Sequence, residues 1–294
     1  MRPQIIIFAT ILLDVALFGV NLLVALAGNS KAVLSQAIYS LTDLIGSGLL
    51  LWGFYASLKP ASYDHPFGYG KERYFWSFTS SLVTFTLAGV IVLVTGFTQT
   101  IHPTPISHVG DGLIVVGATL VFSFVGISVT LRELRAGQKS ISWFLESSQL
   151  GLKTIFYQDI VSILGSFVAF FGILEVYRTG NPVFDGLATI GVGVLLLATG
   201  VVVAEESRGL LVGKAIPSKD ARALLGIVER DPRVRKVRGL QTMMLGPDDV
   251  LVALKINFQD GLTTDQIESV IDQVGSAVRQ IYPAIRHLII EPES

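Results

Sequence analysis

The sequence predicts a membrane protein: a six-helix transmembrane bundle followed by a small cytoplasmic α+β ferredoxin-like domain. Three observations predict it. Hydrophobic residues fill 51% of the 294 positions and charged residues only 15%, against about 25% charge in an ordinary soluble domain. The apolar residues gather into runs of about 20, the length that crosses a hydrocarbon core. From residue 214 onward those runs give way to alternating apolar and polar residues, the pattern of a compact water-facing unit.

The spans read as residues 5–27, 33–58, 74–100, 112–131, 152–176 and 183–204. The first is too long for a signal peptide and lacks a small-residue cleavage site, so it reads as a retained helix. With a cytoplasmic N-terminus, the inner side carries Arg2, Lys59, Lys71, Arg73, Arg132, Arg135, Lys139 and Lys153, and the outer side only Lys31 and Arg178. The positive-inside rule then places both termini in the cytoplasm. Tyr74 and Trp76 stand where an aromatic belt would form, Lys71, Glu72 and Arg73 mark the inner boundary of the third span or pair across a dimer, and Asp185 suits a helix N-terminus. The transport domain is read as residues 1–213 and the cytoplasmic domain as 214–294. In the latter, Ser218 can cap a helix to about residue 230, strands cover 234–244 and 250–258 around a Gly246-Pro247-Asp248-Asp249 turn, a helix covers 264–280, and 287–290 is a last strand. Zero cysteines exclude disulfides and thiolate metal sites, and a net charge of −1 gives no footprint for nucleic acid.

Asp43 and Asp159 lie inside the second and fifth spans, and nothing in the sequence near either would balance its charge. A carboxylate in the bilayer core costs about 2.5–3.5 kcal/mol, so it ordinarily faces an interior cavity and handles an ion or a proton; the plainer alternative is a protonated Asp hydrogen-bonded between helices. Tyr39, Asp43 and Ser47 recur at i, i+4, i+8 with Ser40 beside them, Asp159, Ser162 and Ser166 share a face, and the first span adds Asp14 and Asn21. Three helices with one polar stripe each point to a polar interior, although the serines also suit simple helix packing.

The run Asp64-His65-Pro66-Phe67-Gly68-Tyr69-Gly70-Lys71-Glu72-Arg73-Tyr74-Phe75-Trp76-Ser77-Phe78 resembles the loop after the second helix of the cation diffusion facilitator family. Residues 37–43, Gln158-Asp159 with Leu164-Gly165, and residues 243–251 resemble the same family, the last favouring its zinc- or iron-type subgroup. The resemblance implies a homodimeric secondary transporter that exports a divalent cation in exchange for protons, with the cytoplasmic domain helping to form the dimer. It implies a site at Tyr39, Asp43, Ile155 and Asp159, where the carboxylates match the family and Tyr39 and Ile155 do not. The metal set is therefore read as Asp43, Asp159, Tyr39 and the Gln158 amide, with Asp14 as a proton relay or extra ligand and Asp64 and His65 as a secondary loop site or a turn.

All four histidines, His65, His102, His108 and His287, fall outside the spans, so the intramembrane donors are oxygens or the Gln158 amide. Such a set favours manganese, magnesium or ferrous iron over zinc, and protons would travel on the carboxylates. Two other readings compete. A transport-inactive scaffold would use its cytoplasmic domain for dimerisation or partner binding, and an intramembrane enzyme would need a nucleophile-base pair or histidine pair that the spans lack. The sequence thus reads as a transporter and not an enzyme, with no cofactor beyond the transported ion, embedded in lipid, and placed in a prokaryotic plasma membrane by its compact chain. Asp248 and Asp249 read as turn residues, and Glu291 and Glu293, without histidine beside them, make a doubtful metal site.

Overall fold

The computed structural model describes residues 3–28, 31–103, 109–138 and 140–293. The chain forms two compact units, one of residues 1–56 and 72–208, the other of residues 57–71 and 209–294. The first unit is helical: α1 (Pro3–Gly28), α2 (Lys31–Ala56), α3 (Glu72–Ser81), a π-helical turn (Leu82–Leu87), α4 (Ala88–Ile101), α5 (Val109–Ala136), the short α6 (Ile141–Glu146), α7 (Leu150–Thr179) and α8 (Val183–Val212). Five stretches among the described residues are long and apolar enough to cross a membrane: Ile5–Leu23, Glu72–Ile101, Val116–Ala136, Leu150–Thr179 and Val183–Val212. The sixth long helix, α2, has 26 residues.

The helices start and stop where local chemistry allows. Gly180 closes α7 at φ +69°, in the left-handed region open to glycine. The Asn181 side chain accepts the Val183 N–H at the start of α8. Within the long third span, the π turn faces α2, where the Ser80 hydroxyl donates to the Gly46 carbonyl oxygen at 2.9 Å. At the end of the bundle where α1 and α7 begin and α2 and α5 finish, Ile6, Ile7, Leu50, Phe54, Leu134, Phe144, Leu152 and Ile155 form one buried apolar cluster.

The second unit orders its elements as α9 (Ser218–Val228), β1 (Val234–Gly246), β2 (Asp249–Phe258), α10 (Thr264–Ile281) and β3 (Ile285–Pro292). The sheet order is β1-β2-β3, with β1 and β2 antiparallel and β2 and β3 parallel through the α10 crossover. Alternate residues of β2, Val250 to Phe258, bury their side chains with Leu224 and Val228 of α9, Val270, Val274 and Val278 of α10, and Ile285. Ser218 is the first helical residue of α9 and not its cap, which is Pro217. Residues 57–71 fold with this unit: Phe67 meets His287 edge-on at 5.2 Å, and Lys71 donates to the Leu211 carbonyl at 3.3 Å. A Cβ on Gly70 would lie 2.6 Å from the Leu245 carbonyl oxygen, so the backbones approach closely there.

Thr263 and Gln266 make a reciprocal capping box at the start of α10. Thr263→Ala is expected to weaken that helix by about 1 kcal/mol, measured as faster amide hydrogen exchange through the first turns of α10. Unchanged exchange would show that the box carries no stability.

Candidate metal site in the helical unit

Thr10, Leu13, Asp14 and Leu17 of α1, Asp43 of α2, Phe122 and Ser123 of α5, and Gln158, Asp159 and Ser162 of α7 line one cleft. It leaves about 30 Å³ for the centres of water-sized molecules, enough for an ion with a water beside it. The polar stripes of three helices thus converge. Each carboxylate has a different environment. Asp14 accepts from the Ser47 hydroxyl at 2.5 Å, so one member of the α2 stripe serves α1. Asp43 is within hydrogen-bonding reach of the Gln158 amide. Asp159 lies within electrostatic reach of both other carboxylates, and its Oδ2 is buried with no hydrogen-bond partner.

A buried carboxylate oxygen without a donor is costly, and an incoming cation or proton would satisfy it. Among the described residues no three His, Cys, Asp or Glu side chains gather tightly enough to form a ligand set by themselves. An ion in this arrangement would complete its shell with the Gln158 amide, a serine or water. Gly126 of α5 makes room for the site. A Cβ there would lie 2.6 Å from both oxygens of Asp159, a contact that no real side chain tolerates.

The other sequence candidates fall as follows. Tyr39 belongs to α2, and its side chain lies outside the described residues. Ile155 is fully buried in the apolar cluster at the bundle end, packed as a core residue. Ser166 is buried and does not line the cleft, whereas Asn21 donates to the Ser40 hydroxyl at 2.7 Å, a second polar tie between α1 and α2. Asp64 and His65 belong to the other unit. His65 stacks on Tyr69 at 4.4 Å, and its backbone exchanges hydrogen bonds with Ser62, so it shapes a turn. Glu72 accepts from the Trp76 indole, and Arg73 lies over the Phe54 ring. Asp249 is more than a turn residue: it opens β2, stands 3.6 Å from His287 Nε2, and burial pushes its carboxyl above the usual range while His287 and Arg286 pull it back. Glu291 reaches Lys255 at 3.5 Å.

Lys153, counted among the basic residues of the inner side, lies in the first turn of α7 and is buried. Its buried amine pairs with Glu206 of α8 and donates to the Leu145 carbonyl oxygen. Sequence spacing gave no sign of this pair or of Gly126, because both depend on which helix faces which.

Residues 7–212 match the family model described as the cation efflux transmembrane domain. The chain belongs to the cation efflux family. Its helical unit is accordingly a multi-pass transmembrane domain. Among curated relatives it is 28% identical over 240 residues to the human proton-coupled zinc antiporter SLC30A9, mitochondrial, covering 80% of this chain and 42% of that protein. It is 26% identical over 254 residues to the cation-efflux pump FieF of Shigella flexneri, covering 86% of this chain and 80% of the pump. The chain thus spans less than half the length of the mitochondrial relative. A solved structure of MamM CTD D249N in a nickel form covers 26% of this chain and 98% of that chain, at 23% identity and a TM-score of 0.25.

Gly126→Ala should push the Asp159 carboxylate out of the cleft and weaken divalent-cation binding by roughly tenfold, with helix content unchanged. Calorimetric titration of the purified protein checks this, and full affinity in the variant would separate Asp159 from the binding site.

Proposed function

We propose that this chain exports a divalent metal cation from the cytoplasm through the aspartate cleft, in exchange for protons. The observation that carries the reading is the convergence of Asp14, Asp43 and Asp159 from three helices on one cleft inside a cation efflux transmembrane domain. Three carboxylates so close repel one another unless positive charge enters. A cation satisfies that demand in one state and protons in the other, which gives exchange a physical basis. The names of the relatives, a proton-coupled zinc antiporter and a cation-efflux pump, agree with it.

In this reading Asp43 and Asp159 bind the ion, Gln158 orients Asp43 or supplies its amide oxygen, and Ser47 holds Asp14 in the cleft as a proton acceptor or additional ligand. Both termini face the cytoplasm. That orientation rests on the excess of basic residues on the inner side. The second unit contributes to a homodimer, an inference from the family resemblance.

Uptake into inside-out vesicles, with a panel of divalent ions and an imposed pH gradient, tests the reading. Asp43→Asn and Asp159→Asn are each expected to cut flux at least about tenfold, since losing one charged ligand removes more than about 1.4 kcal/mol of binding. Absence of flux for every ion in the unaltered protein would instead favour a scaffold of the same fold.

Selectivity follows from donor type. The cleft offers carboxylates, hydroxyls and one amide, with no imidazole or thiolate among its lining residues, so manganese or ferrous iron should compete well with zinc. Tyr39→His should move preference toward zinc by adding a nitrogen ligand one helical turn from Asp43. Competition of zinc against manganese in vesicles measures the shift. Strong zinc preference in the unaltered protein, with no change in the variant, would remove Tyr39 from the site.

A further inference from the structure

Among the described residues, the helical unit contains a buried charged pair that the aspartate cleft does not use. Lys153, in the first turn of α7, is 1% exposed, and Glu206, in the last third of α8, is 17% exposed. The lysine amine also holds the Leu145 carbonyl oxygen at 2.5 Å, at the end of α6. Three elements are therefore joined at one ammonium group. Tyr157, one turn further along α7, lies within electrostatic reach of Glu206.

The position of this pair is informative. Leu152 and Ile155, on either side of Lys153, belong to the apolar cluster that plugs the bundle where α1 and α7 begin. Phe144, from the same short helix as Leu145, sits in that plug and meets Phe156 edge-on at 5.7 Å. Further along, α7 and α8 approach through small residues: Gly165 faces Val192, and a Cβ on Gly172 would overlap Ala188. From Gly165 back to Lys153 is about 18 Å along α7, and from Val192 to Glu206 about 21 Å along α8, at about 1.5 Å per residue. A small-residue crossing is a natural pivot for one helix rocking on another. Asp159 lies on α7 midway between that pivot and Lys153.

We propose that the Lys153–Glu206 pair is a latch that keeps α7 and α8 together at the plugged end, and that it must open for the aspartate cleft to reach that side of the membrane. This rests on the transport reading for its purpose, but the latch has a readout of its own. A buried ammonium released from both acceptors is unstable unless water enters, so opening the latch and wetting the plug are one event. The pair thereby makes the change discrete, because a half-open plug would leave Lys153 neither paired nor hydrated.

The chain has no cysteine, so introduced thiols report without background. Leu50 lies in the plug, and Leu50→Cys labelled with a membrane-impermeant maleimide reads its opening. In that background Lys153→Met with Glu206→Gln should raise the labelling rate roughly tenfold, while Lys153→Arg should hold it at the parental rate. If the double neutral variant is not recovered folded, Glu206→Asp, with its shorter reach, should raise labelling in the same direction. Separately, Lys153→Cys with Glu206→Cys, joined by a reducible bis-thiosulfonate linker, should lose metal flux roughly tenfold or more and regain it on reduction. Equal labelling in all folded variants, or full flux in the linked protein, overturns the latch. If the unaltered protein moves no metal, or Asp159→Asn moves it normally, the transport reading fails, whereas Leu50→Cys labelling still decides whether the pair holds the plug.

Discussion

Repulsion among three carboxylates inside an apolar bundle is the constraint around which the helical unit is arranged. Asp14, Asp43 and Asp159 come from α1, α2 and α7, and their neighbours are set to tolerate them. Ser47 donates to Asp14, Gln158 reaches Asp43, and Gly126 withholds a side chain so that Asp159 can lie against α5. The remaining demand is left open: Asp159 Oδ2 has no donor. A group buried without a partner is destabilising on its own, and this oxygen would be satisfied by positive charge entering the cleft.

The same arrangement separates polar from apolar function along the bundle. Ile155, one turn from Asp159, belongs to the apolar cluster at the end of the bundle where α1 and α7 begin. An isoleucine there offers packing and no donor. The donors lining the cleft are carboxylates, hydroxyls and one amide. Fold membership alone leaves that donor set undetermined, since donor chemistry belongs to the site and not to the architecture.

The two units rely on different physics. The second unit is a water-facing domain whose sheet buries one face beneath α9 and α10, and whose turns and caps are local. The loop of residues 57–71 folds with it through Phe67 and His287 and through the close backbones of Gly70 and Leu245. Two stretches that resemble the family, far apart in sequence, therefore meet in space. The first unit depends on helix packing, with hydroxyl-to-carbonyl bonds such as Ser80 to Gly46 and a buried charged pair beside its apolar cluster.

The sequence by itself determined the long apolar helices, the order of elements in the second unit and the helix faces on which Asp14, Asp43 and Asp159 stand. These are legible because hydrophobic run length, alternation and the 3.6-residue period are local properties of the chain. Periodicity says which residues share a face but not which helix that face meets. Only the tertiary structure decided that Ser47 bonds Asp14, that Gly126 opens space for Asp159, that Ile155 joins the apolar cluster, and that Lys153 pairs with Glu206. Each depends on residues brought together from separate helices, and such contacts are fixed by how the bundle packs, a cooperative outcome that no single segment encodes.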